Sequence, residues 1–259
     1  MIYALLDHPS LSGADFSALE LLIYGASPLS PARLGEALER IGPVLSQLYG
    51  QTECYPTSVL KRADHDVASP ELMASCGHPC GSVDVQLIDE SNSPVDSGAV
   101  GEICVRGPQM MDKYFNRPEQ TAEASSGGWL HTGDMAYADE RCYLYIVDGK
   151  KDMFISGGFN VYPREFEDIL SADVNVASAA VIGVPDEKWG EAVKAIVVHR
   201  HGKTIDPQAL IDSVKTSKGS VHAPKSVDIV HEIPLTAIGK PDKKVLREKY
   251  WQGRDRQVG

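Results

Sequence analysis

The chain has 259 residues, 42% of them hydrophobic and 24% charged, which is typical of a globular protein with one large or two ordinary domains. Its 25 basic and 36 acidic residues give a net charge of −11 and argue against a general nucleic-acid binder, because phosphate contacts need a basic surface. No apolar run approaches the roughly 18 residues of a transmembrane helix, and there is no basic leader, so we expect a cytoplasmic location.

The first part of the chain predicts a strand–helix–strand unit. An apolar strand is expected over 19–24 and ends at Gly25-Ala26-Ser27-Pro28. A helix follows with Ser30 as a favourable N-cap, and a second strand is expected over 44–49, ending at Gly50-Gln51-Thr52-Glu53. Such a unit predicts a parallel sheet with its ligand edge at the strand C-termini, and the small and hydroxyl-bearing residues there suit a nucleotide.

The middle of the chain changes character. Residues 76–147 alternate apolar and polar positions at period two, which predicts a small all-β unit, with a short helix expected at 118–124. A polar, glycine-containing break follows at 148–152, and then the pair Gly157-Gly158, whose missing Cβ atoms let a backbone or a ligand come close. We interpret this segment as a joint between two domains beside a ligand. Residues 164–259 predict a compact α+β domain, with strands at 177–183 and 192–199 and a helix around 207–218.

Five separated segments resemble the adenylate-forming superfamily, which includes acyl-CoA synthetases, carrier-loading adenylation domains and firefly-type luciferases. They are YGASPLS (24–30), YGQTE (49–53), GWLHTGD (128–134), DGKKDMFISGGFNVYPREFE (148–167) and PLTAIGKPDKKVLRE (234–248). Each segment is a weak signal alone, but together they occur in the family's order through almost the whole chain. The sequence is most similar to those of fatty-acid-type CoA ligases, for example at VIGVPDEKWGEAVKA (181–195).

The resemblance implies an α/β and α+β fold in three parts. These are the end of a large AMP-binding α/β subdomain (1–70), a small β-barrel-like subdomain (71–147) and a mobile C-terminal α+β domain (148–259). The family's chain is longer than this one, and its N-terminal half carries a Ser/Thr/Gly-rich phosphate loop that no segment here matches. We therefore expect this chain to be a C-terminal portion that lacks that loop.

The resemblance also implies a nucleotide site. Thr52 would contact the α-phosphate, and Glu53 would coordinate Mg²⁺, which prefers oxygen ligands. Asp134 would accept hydrogen bonds from the two ribose hydroxyls. The remaining predicted contacts are Gly25, Ala26, Ser27, Tyr49, Gly50 and Gln51. Of these, the Tyr49 ring would stack on adenine. Ordinary polar turns are the alternative reading of both segments, and a structural histidine is the expected reading of His131.

In the C-terminal domain, Lys240 resembles the adenylation lysine, whose ammonium stabilises charge as a carboxylate attacks ATP. Lys243 and Lys244 are expected to be surface charges. Lys151 corresponds to the hinge, and Gly157 and Gly158 would line the tunnel that admits the CoA thiol.

One position departs from the family pattern. Gly149 stands where the family usually has an arginine that touches the ribose. The neighbouring Lys150 and Lys151 carry positive charge, but a lysine lacks the planar fork of arginine.

The function implied is that of an ATP-dependent acyl-CoA ligase of fatty acid metabolism. A carboxylic acid and Mg-ATP would give acyl-AMP and pyrophosphate, the small domain would rotate about Lys151, and CoA would displace AMP. Two alternatives stay open: a carrier-loading adenylation domain and a non-catalytic remnant. We expect the isolated chain to show little or no ligase activity, and neither acyl-chain length nor oligomeric state is readable from the sequence.

Overall fold

The computed structural model describes residues 1–26, 29–220, 222–236 and 239–252. The chain divides into two compact units, Met1–Ile146 and Val147–Gly259. The finer division into 1–70, 71–147 and 148–259 stays a prediction. Within the described part of the chain, no helix is long and apolar enough to cross a membrane.

The first sheet of the first unit has four strands, β1 (Leu22–Gly25), β2 (Leu45–Gln51), β3 (Cys54–Leu60) and β4 (His78–Pro79), in that order. The helices α1 (Ile2–Leu6), α2 (Pro31–Arg40) and α3 (Pro70–Met73) accompany it. The predicted parallel unit is confirmed: β1 and β2 run parallel, and Ser30 Oγ accepts the N–H of Arg33 at 3.4 Å at the start of α2. Leu34 and Ala37 of α2 and Leu45 of β2 form part of a shared buried core.

The predicted end of the second strand was wrong. Gly50 and Gln51 do not end β2 but belong to it, and β2 turns back into the antiparallel β3. Gln51 lies opposite Cys54, so Thr52 and Glu53 form the two-residue turn of a β-hairpin. The motif is therefore carried by a hairpin rather than by a strand-to-loop edge.

The second sheet contains β5 (Asp84–Ile88), β6 (Gly101–Arg106), β7 (Leu130–Ala138) and β8 (Leu144–Gly149), in chain order. β5 pairs antiparallel with β6, and β6 with β7. The helix α4 (Pro118–Ala124) precedes β7, as the sequence predicted. In the described residues this predicted barrel-like part is an open sheet with β5 and β8 as its outer strands.

The second unit contains one five-stranded sheet of β9 (Phe154–Ser156), β10 (Phe159–Val161), β11 (Val176–Asp186), β12 (Gly190–His199) and β13 (Ser226–Val230). Its helices are α5 (Pro163–Ser171), α6 (Pro207–Lys218) and α7 (Lys243–Glu248). Alternate residues of β11 face opposite sides. Val181 belongs to the core cluster of α5 and α6, whereas Ala180 and Ile182 belong to the cluster that contacts Leu246 of α7.

Two glycine-to-alanine substitutions test the packing of the first unit. At Gly25, the last residue of β1, a Cβ would lie 2.4 Å from the carbonyl oxygen of Leu48, whereas at Gly35 in α2 its nearest neighbour is Val67 Cγ1 at 3.7 Å. We expect Gly25→Ala to lower the free energy of unfolding by about 1–3 kcal/mol. Gly35→Ala should raise it by up to about 1 kcal/mol, because alanine is the better helix former.

Urea denaturation of the parent chain and both variants measures these changes. The matched Gly35→Ala variant controls for the added methyl group itself. If Gly25→Ala were as stable as the parent, β1 and β2 would not pair at the register described.

Candidate functional site

Three of the predicted site residues meet in the first unit. Tyr49 OH donates a hydrogen bond to Asp134 Oδ2 at 2.8 Å. Gln51 Nε2 donates to the same oxygen at 3.0 Å and to the Thr132 carbonyl at 2.7 Å. The structure therefore brings the YGQTE and GWLHTGD segments, which lie about 80 residues apart in the chain, onto one carboxylate.

A β-bulge in β7 places Asp134. Glu102 lies opposite Met135 and Cys104 lies opposite His131, so Ile103 alone faces three residues of β7. The bulge is held by three hydrogen bonds: Thr132 Oγ1 to Ile103 O at 2.8 Å, Asp134 N to Thr132 Oγ1 at 3.1 Å, and Gly133 N to Glu102 Oε1 at 3.0 Å. Gly133 has φ +73°, a conformation that glycine adopts without a steric penalty. A bulge of this kind redirects side chains, here that of Asp134.

The hydroxyl groups around this site are held as donors. Burial and then the neighbouring Asp134 carboxylate raise the pKa of Tyr49 well above its ordinary value. Tyr114 OH donates to Glu53 Oε1 at 2.7 Å, and this hydrogen bond, together with burial, raises the pKa of Tyr114 to about 12. Both phenols therefore stay protonated at neutral pH and orient the carboxylates they contact.

The hairpin turn offers the chemistry of a phosphate and Mg²⁺ site. Thr52 is exposed at the turn and Glu53 is half-buried beside it. A hydroxyl and a carboxylate are an oxygen-donor set of the kind Mg²⁺ takes together with phosphate oxygens. These residues fit the predicted metal, with Tyr114 fixing one edge of the Glu53 carboxylate.

Local packing accounts for the glycines of the predicted nucleotide segments. A Cβ on Gly25 would meet Leu48 O, and one on Gly50 would lie 2.7 Å from the carbonyl oxygen of Cys54. Neither glycine needs a ligand to explain it. Ala26 has φ +64°, whereas Ser27 lies outside the described residues.

In the second unit, Lys240 closes a backbone loop. Its N–H donates to Thr236 Oγ1 at 3.1 Å, and Thr236 N donates to the Lys240 carbonyl at 2.7 Å. Leu235 and Pro241 form an antiparallel bridge across the same loop. Gly239, with φ +79°, supplies the turn immediately before Lys240.

Lys151 lies exposed in the turn after β8, between two acidic residues that contact α7. Asp148 Oδ2 lies 3.3 Å from Lys243 Nζ, and Asp152 Oδ1 lies 3.0 Å from Arg247 Nη1. The prediction that Lys243 is a surface charge was wrong, because its residue is only 9% exposed. The sequence signal was the spacing of Lys243 and Arg247, four residues apart and so on one helix face.

Gly149, the position of the missing arginine, has room for a side chain. A Cβ there would have Asp152 Oδ2 as its nearest neighbour, at 4.0 Å. Packing therefore does not dictate glycine at this position.

Gly157 and Gly158 form the turn of the β9–β10 hairpin. Their φ values are +58° and +84°, the left-handed pair of a two-residue type I′ turn. A Cβ on Gly157 would lie 2.6 Å from Trp189 Cε3, and Gly157 N donates to Trp189 O at 2.9 Å. Turn geometry and contact with Trp189 explain both glycines, and the CoA tunnel stays a prediction.

His131 immediately precedes the bulge in β7 and contacts two buried residues of β6. Its Nδ1 lies 3.4 Å from Glu102 Oε2 and 3.5 Å from Cys104 Sγ. Sequence reasoning missed this group, because the register shift that aligns β6 with β7 is not encoded in any short motif.

Comparison with known proteins identifies the family. The family model of the AMP-binding enzyme matches residues 1–115, and that of the AMP-binding enzyme C-terminal domain matches residues 165–240. The chain belongs to the AMP-binding enzyme family. The recognition made from the sequence is thereby confirmed, as is the mixed α/β fold.

Individual relatives are named for different activities. All of the chain aligns at 48% identity with 46% of the medium/long-chain-fatty-acid–CoA ligase FadD8 of Mycobacterium tuberculosis. It aligns at 36% identity with 50% of the fatty acid–[acyl-carrier-protein] ligase ScoC of Streptomyces coeruleorubidus. The structure of the amide bond synthetase McbA from Marinactinospora thermotolerans superposes with a TM-score of 0.91 at 41% identity, over 96% of this chain and 51% of that one. The chain spans about half the length of the relatives it matches.

A charge substitution tests the cluster of Tyr49, Gln51 and Asp134. Gln51→Glu would replace a donor by a second carboxylate against Asp134 Oδ2. We expect it to lower the free energy of unfolding by about 1–3 kcal/mol at neutral pH, because Asp134 Oδ2 and the Thr132 carbonyl would lose the Gln51 donor and a second carboxylate would face Asp134. Urea denaturation measures the change.

The control is Gln208→Glu, since Gln208 Nε2 also donates to an aspartate, Asp212, at 3.1 Å but in an exposed position. It should change stability by less than about 0.5 kcal/mol. Equal effects of the two substitutions would contradict the geometry described around Asp134.

Proposed function

We propose that this chain is part of an ATP-dependent acyl-CoA ligase that activates fatty-acid-type carboxylic acids. The observation that carries the proposal is the convergence of Tyr49 and Gln51 on Asp134 beside the Thr52-Glu53 turn. The fatty-acid class is supported by the 48% identity to a medium/long-chain-fatty-acid–CoA ligase.

In the proposed first half-reaction, a carboxylate oxygen attacks the α-phosphorus of ATP, the bond to the β-phosphate oxygen breaks, and pyrophosphate leaves. Thr52 donates a hydrogen bond to the α-phosphate, and Asp134 accepts hydrogen bonds from the ribose hydroxyls. Glu53 would hold Mg²⁺, which when bound supplies neutralising charge for the phosphates. Tyr49 would lie against adenine while its hydroxyl orients Asp134.

Residues of the second unit serve the same reaction in this proposal. Lys240 provides an ammonium for the charge that develops on the carboxylate and phosphate oxygens. In the second half-reaction the CoA thiolate attacks the acyl carbonyl and AMP leaves. Gly157 and Gly158 are proposed to face the pantetheine arm, and Lys151 to be the hinge between the half-reactions.

The identity of the acyl acceptor, CoA or a carrier protein, is the most specific part of the proposal. ScoC is named as a ligase that acts on an acyl carrier protein, whereas FadD8 is named as a CoA ligase. We propose CoA on the higher identity to FadD8. Acyl transfer to free CoA, compared with transfer to a purified carrier protein, distinguishes the two acceptors.

The activity prediction compares two proteins. Pyrophosphate release is measured with short-, medium- and long-chain carboxylic acids, ATP, Mg²⁺ and CoA. We expect little or no turnover for the chain alone. We expect turnover for a longer protein in which this chain follows, in the same open reading frame, a segment that brings it to the family's length. Lys240→Ala and Glu53→Gln in the longer protein should each lower the rate of acyl-AMP formation by about 100-fold or more.

Lys244→Ala is the control, because Lys244 is exposed and close to Lys240 in the chain. A longer protein that releases no pyrophosphate with any acid would contradict the proposed function. Turnover by the chain alone at the rate of the longer protein would contradict the prediction that the chain by itself is inactive.

A further inference from the structure

We propose that Lys243 is a positioning residue for Lys240: it anchors the end of the loop that carries Lys240 to the carboxylates of Asp148 and Glu167. The functional meaning of this inference rests on the proposed role of Lys240, whereas the anchoring itself rests on geometry within the second unit.

The Lys243 side chain is buried and paired on two sides. Its Nζ lies 3.3 Å from Asp148 Oδ2 and 3.0 Å from Glu167 Oε1, and its side chain is 9% exposed. A lysine is almost never buried to this degree unless it is paired. Burial works against the charge, but Glu167 and Asp148 outweigh it and raise the pKa of Lys243. The ammonium therefore stays charged.

Both carboxylates accept hydrogen bonds from backbone N–H groups. Asp148 Oδ1 accepts from Gly149 N at 2.7 Å, and its Oδ2 accepts from Arg164 N in the first turn of α5 at 3.0 Å. Glu167 Oε1 accepts from Val181 N of β11 at 2.8 Å. The ammonium is thus held by groups attached to the end of β8, to α5 and to β11, none of which belongs to the Lys240 loop.

The connection from Lys243 back to Lys240 is short and stiff. Only Pro241 and Asp242 separate the two lysines, and proline fixes its own φ. Asp242 N donates to Pro234 O at 2.8 Å, and Asp242 Oδ1 accepts from Val245 N at 3.1 Å to cap α7. Together with the paired backbones of Thr236 and Lys240, these bonds transmit the position of Lys243 to the Lys240 backbone.

The test measures amide hydrogen exchange in the chain as it stands, residue by residue, by NMR. In Lys243→Met the amides of Thr236 and Lys240 should exchange faster by about tenfold or more, because local opening of the loop becomes easier. The amides of Val193 and Ala195 in β12 should keep their protection. Lys243→Arg should restore most of the loop protection, and Lys244→Met, at an exposed neighbour, should match the parent.

Asp148→Asn is the second variant, used beside Lys243→Met in case the latter fails to fold. It removes one of the two charges that hold Lys243 and should accelerate exchange at Lys240 by a smaller factor. Unchanged protection at Lys240 in both variants would overturn the inference. Equal loss of protection in the loop and in β12 would also overturn it, because Lys243 would then act on general stability alone.

A second test measures the two half-reactions in the longer protein. Lys243→Met should lower the rate of acyl-AMP formation, with rescue by Lys243→Arg, and leave thioester formation from supplied acyl-AMP unchanged. If Lys240→Ala did not affect acyl-AMP formation, the assignment of Lys240 would fail. Exchange at Lys240 would still decide whether Lys243 anchors the loop.

Discussion

The second unit depends on one buried carboxylate, that of Asp148. It accepts N–H groups from Gly149 and from the start of α5, and it contacts the ammonium of Lys243. Burial raises the pKa of Asp148 to about 6, with Lys243 acting in the opposite direction. A charge in such a place costs several kcal/mol unless other groups compensate it. The backbone N–H groups and Lys243 are that compensation, and they fix the end of β8, α5 and α7 to one another.

Asp134 has the corresponding place in the first unit. Its carboxylate is reached by donors from β2, and its position comes from a bulge that uses Thr132 and Gly133. In both units an aspartate at one terminus of a motif, Asp134 or Asp148, is therefore held by hydrogen bonds from a distant segment. Such preorganisation lets a site receive a ligand without first reordering its side chains.

Periodicity and capping signals predicted much of the fold. The bounds of α4 and α6 and the cap of α2 at Ser30 follow from local sequence, because helix starts and stops are set by neighbouring residues. Strands β11 and β12 were recognisable as apolar runs.

The motifs predicted which residues gather at the site but not how they are held. The bulge at Gly133 and the burial of Lys243 both depend on partners far away in the chain. No local pattern specifies such partners. The same reason explains why Gly25, chosen as a ligand contact, owes its lack of a side chain to the Leu48 carbonyl.

The ion pairs around Lys151 constrain the proposed hinge. Asp148 precedes Lys151 in the chain and Asp152 follows it, yet both contact α7. Asp152 and Arg247 both lie C-terminal to Lys151, so a rotation about Lys151 would carry that pair as a body.

Asp148 lies N-terminal to Lys151, so in such a rotation its carboxylate would lose its contacts with Lys243 Nζ and with the N–H of Arg164. Glu167 also lies C-terminal to the hinge, and it would keep the ammonium paired throughout the rotation. Lys243 would thus have one carboxylate partner in both orientations and a second in only one of them. A rotation about Lys151 would therefore change the pairing of Lys243, and a buried ammonium with two carboxylates is better compensated than one with a single carboxylate.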